Sequence, residues 1–229
     1  MSPVAPLSVI IPALDAAESL PATLGALAEA HELISEIIVA DASSRDNTTA
    51  IAEAAGARVV PAPRGRGAQL AAGAAAASGE WLFFLHADTR PESGWSADAL
   101  RFMTDPANRE RAAYFVYRLD DGSPAARRLE RIVAWRSRVL GLPYGDQGLI
   151  LARAFYRALG GFPPLALMED VAFVRRIGWR RLVALQASAL TSAARYRREG
   201  YVLRPLRNLG CLALYLMGLP PRLIVRLYG

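Results

Sequence analysis

What most restricts the folding of this chain is the order of its apolar segments. Over the first 85 residues, short runs rich in β-branched or aromatic side chains alternate with longer segments of helical spacing. Leu7 to Ile11 (LSVII), Glu36 to Ala40 (EIIVA) and Trp81 to Leu85 (WLFFL) read as buried strands, with a further short strand at Arg58 to Val60. Between them, Glu18 to Ala30 carries Leu20, Leu24 and Leu27 at helical spacing, Asp46 to Ala55 stops at Gly56, and the Ala-rich stretch Arg66 to Ser78 stops at Gly79. Strands that alternate with helices predict an α/β fold with a mostly parallel central sheet and helices on both faces.

The second half is less regular. Ser96 to Met103 and Pro124 to Leu140 read as helices, Ala113 to Leu119 as a strand, and GDQGLILAR (Gly145 to Arg153) as a polar turn entering another strand. Glu169 to Ile177 reads as a short helix whose two opening acids suit a helix N-terminus. No repeat or low-complexity linker marks a boundary, so residues 1–229 read as one domain. A composition of 53% hydrophobic and 21% charged residues excludes global disorder. The single cysteine, Cys211, excludes an intramolecular disulfide and fits a reducing compartment. The apolar run near the N-terminus is short, broken by Pro12 and not preceded by basic residues, which predicts a cytoplasmic protein. All 27 basic residues are Arg and the net charge is +6, so anionic substrates and anionic lipid surfaces are both open. The basic residues are dispersed without a nucleic-acid motif, and no nucleic-acid partner is expected.

Parallel sheets bind ligands at the carboxyl ends of their strands. That rule selects Pro12 to Asp15, Asp41 to Asp46 and His86 to Thr89, each a polar or acidic loop directly after an apolar strand. It also draws attention to RGRGAQLAAG (Arg64 to Gly73), where Arg and Gly residues open a helix whose N–H groups favour anions.

The segments IIPAL (Ile10 to Leu14), VADASSRDNT (Val39 to Thr48), LHADT (Leu85 to Thr89) and MED (Met168 to Asp170) together resemble those of family 2 glycosyltransferases, which have the GT-A fold. The resemblance spans residues 7 to 200 and is greatest to a branch of small bacterial proteins described as radical-SAM/selenodomain-associated transferases. It implies an inverting transferase that moves a sugar from a nucleotide diphosphate, UDP above all, to an acceptor hydroxyl with help from Mg²⁺ or Mn²⁺. Residues 7–120 would then bind the nucleotide sugar, residues 121–200 the acceptor, and residues 201–229 would form an amphipathic C-terminal segment.

By the same resemblance, Pro12, Ala13 and Leu14 wall the base and ribose, Asp15 stands where relatives carry Asn, and Asp41 accepts a hydrogen bond from the base. Arg66 and Gln69 contact the donor. His86 and Asp88 stand in place of the Asp-x-Asp motif, with Asp88 as metal ligand; a neutral imidazole in place of the first acid suits Mn²⁺ better than Mg²⁺. Asp170 corresponds to the catalytic base, and Glu169 either contacts the acceptor or raises the proton affinity of its neighbour. In PYGDQG, Asp146 and Gln147 offer hydrogen-bonding groups to sugar hydroxyls. SAARY (Ser192 to Tyr196) shares only its Arg and an aromatic residue with the Gln-x-x-Arg-Trp signature of processive relatives, which argues against polymer synthesis.

From Tyr201 onward, Arg204, Arg207, Arg222 and Arg226 flank the apolar stretch Leu209 to Leu219, too short to span a bilayer. It could lie on a membrane with Arg toward headgroups and serve a lipid-linked acceptor, or pack on the core or in a homodimer. Two other readings use the same residues: a nucleotidyltransferase, although IPALDAAES lacks a basic Gly-rich loop after the first strand, and a catalytically idle module that binds a nucleotide sugar or a membrane surface.

Overall fold

A computed structural model describes residues 6–228, with side chains through residue 225. Eight strands form one sheet. They are β1 (Leu7–Ala13), β2 (Ile34–Asp41), β3 (Arg58–Pro61), β4 (Trp81–Phe84), β5 (Thr89–Pro91), β6 (Ala112–Leu119), β7 (Leu149–Ala152) and β8 (Leu182–Thr191). Helices are α1 (Leu20–Leu27), α2 (Thr48–Ala54), α3 (Arg66–Ala76), α4 (Trp95–Thr104), α5 (Pro124–Val139), α6 (Arg153–Ala158), α7 (Glu169–Ile177), α8 (Ala194–Glu199), α9 (Leu203–Leu216) and α10 (Pro221–Tyr228).

The strand order is β3-β2-β1-β4-β7-β6-β8-β5. The four strands of the regular first half run parallel, as their helical crossovers require, while β7 lies antiparallel between β4 and β6. Neighbouring residues of β4 anchor opposite faces of the sheet. Phe83 stacks with Trp95 and Phe115, whereas Phe84 meets Tyr156 and Phe162. That double burial explains the unbroken apolar run WLFFL.

The spacing did not mark β5, β8, α6 or α8. Strand β8 is the most instructive omission: it is half-exposed along much of its length and its sequence, LVALQASALT, holds small residues rather than a clean alternation. It is secured by parallel pairing with β6 and antiparallel pairing with β5. Helix α3 lies close to β1 because Gly73 has no Cβ to meet the Ile10 side chain.

Candidate active site

Two cavities meet at the carboxyl ends of the strands. The outer cleft, about 390 Å³, brings together Pro12, Leu14, Asp15, Arg66, Gln69, His86 and Asp88, seven of the expected donor-side positions. Its rim is laced by side chains: Asp15 accepts from the Arg45 N–H at 2.7 Å, and Asp46 accepts from the Ala17 N–H at 3.0 Å. Asp15 itself adopts a left-handed backbone with φ of 49°, a conformation that Asn and Asp tolerate better than most residues.

Some expected donor contacts have internal duties. The Gln69 amide donates to the carbonyls of Ala13 and Ala40 at 2.7 and 3.0 Å, tying α3 to the ends of β1 and β2. Asp41 is buried and accepts from both the N–H and the hydroxyl of Ser44, which closes the turn after β2. Ala13 is also buried. The start of α3 is not an open anion nest: the Gly67 N–H donates to the Leu165 carbonyl at 3.0 Å, and a Cβ on Gly67 would strike the Pro163 carbonyl. The glycines of RGRG therefore admit the loop before α7.

That approach brings Arg66 to α7. Its Nη1 stands 3.2 Å from Oε1 of Glu169, whose side chain is wholly buried. Burial raises the Glu169 carboxyl to about 7; Arg66 opposes the shift and the charge of Asp170 adds to it. Glu169 is thus paired with Arg66 inside the protein. Asp170 takes other partners. Its Oδ2 accepts from the Gly145 N–H at 3.0 Å, and Oδ1 accepts from the Val171 N–H at 2.7 Å.

Gly145 also makes room for His86, whose Nε2 occupies the space that a Cβ on residue 145 would need. Burial, reinforced by the charges of Arg66 and Arg195, holds the imidazole well below its ordinary pKa and hence neutral. No hydrogen bond or ion pair from the described residues ends on the Asp88 carboxylate, whereas its backbone carbonyl accepts from the Ser192 N–H at 3.1 Å. A carboxylate without a protein partner, two residues beyond a neutral imidazole, fits a divalent cation. Among the described residues no group of three His, Cys, Asp or Glu gathers as a ready-made metal cage.

The inner cavity, about 110 Å³, shares Arg66, His86, Asp88 and Arg195 with the outer cleft, and Asp146 and Asp170 line it. Burial raises the Asp146 carboxyl to about 6, with Asp170 and Asp88 adding to the shift against Arg136. Gln147 has internal partners. It is 1% exposed, its carbonyl accepts from Ser137 at 2.9 Å and its amide donates to the Phe115 carbonyl at 3.1 Å, so it braces α5 and β6.

The spacing also left out residues on this wall. Tyr117 comes from β6, Thr191 and Ser192 from the end of β8, Arg195 and Tyr196 from α8, and Arg204 and Asn208 from α9. The one available signal was the arginine in SAARY. Arg204 is buried against Glu199 at 2.7 Å, as the packed alternative for this segment has it. Cys211 and Leu212 pack on Leu167, Met168 and Val171, so α9 leans on the MED segment. The side chain of Arg226 lies outside the described residues. Among the described residues, no helix is long and apolar enough to cross a membrane.

Similar chains share this architecture. Glucosyl-3-phosphoglycerate synthase from Mycobacterium tuberculosis, solved with Mn²⁺, UDP and phosphoglyceric acid, superposes with a TM-score of 0.63 at 21% identity, covering 94% of this chain and 80% of that one. The same enzyme with Mn²⁺, UDP and glucosyl-3-phosphoglycerate gives 0.59 at 22% identity, covering 82% and 70%. A search of curated proteins finds no match. The family model described as glycosyl transferase family 2 matches residues 8–155, which hold the parallel strands, the His86–Asp88 loop and the Gly145 turn; the chain belongs to that family of glycosyltransferases.

Proposed function

We propose that this glycosyltransferase moves a sugar from a UDP-linked donor to an acceptor hydroxyl with inversion at the anomeric carbon. The observation that carries this reading is the position of Asp170: it lines the inner cavity, which meets the donor-side cleft at Arg66, His86, Asp88 and Arg195. In such a reaction the acceptor oxygen bonds to the anomeric carbon as its proton passes to the Asp170 carboxylate. The bond from that carbon to the diphosphate breaks, and its electron pair leaves with UDP. Arg66 and Arg195, which line both cavities, would bind the diphosphate.

Asp88, with His86 beside it, would hold Mn²⁺ or Mg²⁺. The ion supplies charge neutralisation of the leaving diphosphate when bound. The Mn²⁺ and UDP of the similar structures support this donor side. A donor-hydrolysis screen across nucleotide sugars, with Mn²⁺ and with chelator, tests the reading. Metal-dependent release of UDP, lost in Asp88→Ala, is expected; no nucleotide binding by the wild-type protein would refute it.

A membrane-surface role for the C-terminal segment has its own support. After Asp170 the chain contains eleven Arg (175, 176, 180, 181, 195, 197, 198, 204, 207, 222 and 226) and one acid, Glu199. Val202, Leu203, Leu206, Leu209, Leu216 and Met217 are exposed on or beside α9. An apolar face in basic surroundings suits anionic lipid at the cytoplasmic leaflet.

A further inference from the structure

The inner cavity holds buried polar atoms that the transfer reaction does not use. Oδ1 of Asp146 and Oδ1 of Asn208 are both shielded from solvent, and neither has a hydrogen-bond partner among the described residues. Both residues line the same cavity, one from the turn before β7 and the other from α9. Buried polar atoms of native proteins nearly always find partners, because an unpaired one forfeits its hydration without return. Because both residues line the one cavity, a compound bound there is well placed to supply the missing donors.

The chemistry of those donors follows from the wall. Asp146, Asp170 and Asp88 all line the cavity; of its arginines, Arg66 and Arg195 also line the outer cleft, where the donor diphosphate would engage them, and Arg204 is already matched by Glu199. A phosphate or carboxylate entering beside Asp146 would present oxygen to oxygen and meet a like charge. A hydroxyl can donate to either atom and still accept from a neighbour. Tyr117 supplies such a neighbour, since its phenol is buried on the same wall, close enough to Asp146 for that charge to oppose its ionisation.

We propose that Asp146, Asn208 and Tyr117 form an acceptor subsite for a neutral, hydroxyl-rich compound, a sugar or polyol, and that α9 completes this subsite by supplying Asn208. The proposal rests on the glycosyl-transfer reading and names the class of acceptor for it. It also explains why α9 packs against the MED segment. Cys211 and Leu212 hold the helix to Met168 and Val171, while Glu199 pairs with Arg204 and Arg207 and fixes its first turns. The helix thereby places Asn208 on the same cavity as the base.

Saturation-transfer NMR with methyl α-D-glucopyranoside as the probe, on full-length protein containing UDP and Mn²⁺, tests the proposal. The wild-type protein should transfer saturation to the probe. Asn208→Leu should raise the probe dissociation constant about tenfold or more, and Tyr117→Phe, which keeps the ring and loses only the hydroxyl, should raise it by a smaller factor. UDP affinity, measured calorimetrically on the same samples, should stay within twofold in both variants. If wild-type protein binds UDP but not the probe, or if both variants bind the probe as the wild type does, the subsite is overturned while the donor reading stands. If wild-type protein binds no UDP, the donor reading fails instead. Glycerol 3-phosphate in a parallel sample completes the test: tighter binding of that anion than of the neutral probe would also overturn the proposal.

Discussion

Arg66 Nη1 lies 3.2 Å from Oε1 of Glu169, a carboxylate without solvent exposure, although the adjacent acid, Asp170, lines the open cavity. Two consecutive acids at the start of α7 therefore meet different partners, although both also line a small cavity beside His86. Successive side chains on a helix are turned by about 100°. The first reaches back to α3 and the second reaches the Gly145 turn.

Glu169→Gln should change how stability depends on pH. The Glu169 carboxyl is raised to about 7 from 4.5, mainly by burial, so the folded chain binds this proton more tightly than the unfolded chain does. The associated stabilisation is complete below the unfolded value and is lost as pH rises through about 7. Relative to Glu169→Gln, the wild-type protein should lose stability between pH 5 and pH 8 by up to about 3 kcal/mol. Urea unfolding at both pH values measures the difference; parallel curves would remove Glu169 from the linkage.

Asp170→Asn should lower transfer by about 10²-fold or more while leaving the dissociation constant for UDP unchanged, because an amide cannot take the acceptor proton. Asp170 accepts two backbone N–H groups, from Gly145 and Val171, and an amide can satisfy only one of them with its oxygen. A modest loss of thermal stability should accompany the kinetic loss. Single-turnover rates with calorimetry of UDP separate the two effects, and near-normal transfer would exclude Asp170 as base.

Gly145→Ala should weaken metal-supported donor binding. The added methyl group would collide with Nε2 of His86, and the imidazole would have to leave its place beside Asp88. Displacement of a packed ring costs about 1–3 kcal/mol. Calorimetric titration of UDP with Mn²⁺ should show at least a fivefold loss of affinity, and unchanged affinity would mean that the His86 position is immaterial to the donor.

Anionic vesicles should sediment the protein at low salt and release it as salt rises, since screening removes the Arg contribution. Trp135, 57% exposed on α5, and Trp179, 66% exposed beside Gly141, are further large apolar side chains at the surface. The pair Trp135→Ser and Trp179→Ser should reduce sedimentation severalfold without altering UDP affinity. Association with a second copy, detected by light scattering and unaffected by vesicles, would assign the face to a dimer instead.

The regular half of the molecule was legible because each element carries its own local signal. WLFFL is apolar throughout because Phe83 and Phe84 bury on opposite faces, and the parallel strand order follows from helices placed between strands. The ends of those strands, with Pro12, Asp15, His86 and Asp88, could be found from position alone. Residue type could not decide which polar groups remain free for a ligand. Gln69, Gln147 and Glu169 read as ligand contacts from residue type, and only the structure shows the carbonyls, hydroxyls and Arg66 that they meet inside the protein. The cavity wall was hidden for the same reason: Tyr117, Arg195, Arg204 and Asn208 come from β6, α8 and α9, and no local periodicity records that these elements meet. Sequence spacing determined the strands and helices through local backbone and burial preferences, while tertiary packing alone decided which polar atoms were matched internally and which were left facing the cavity.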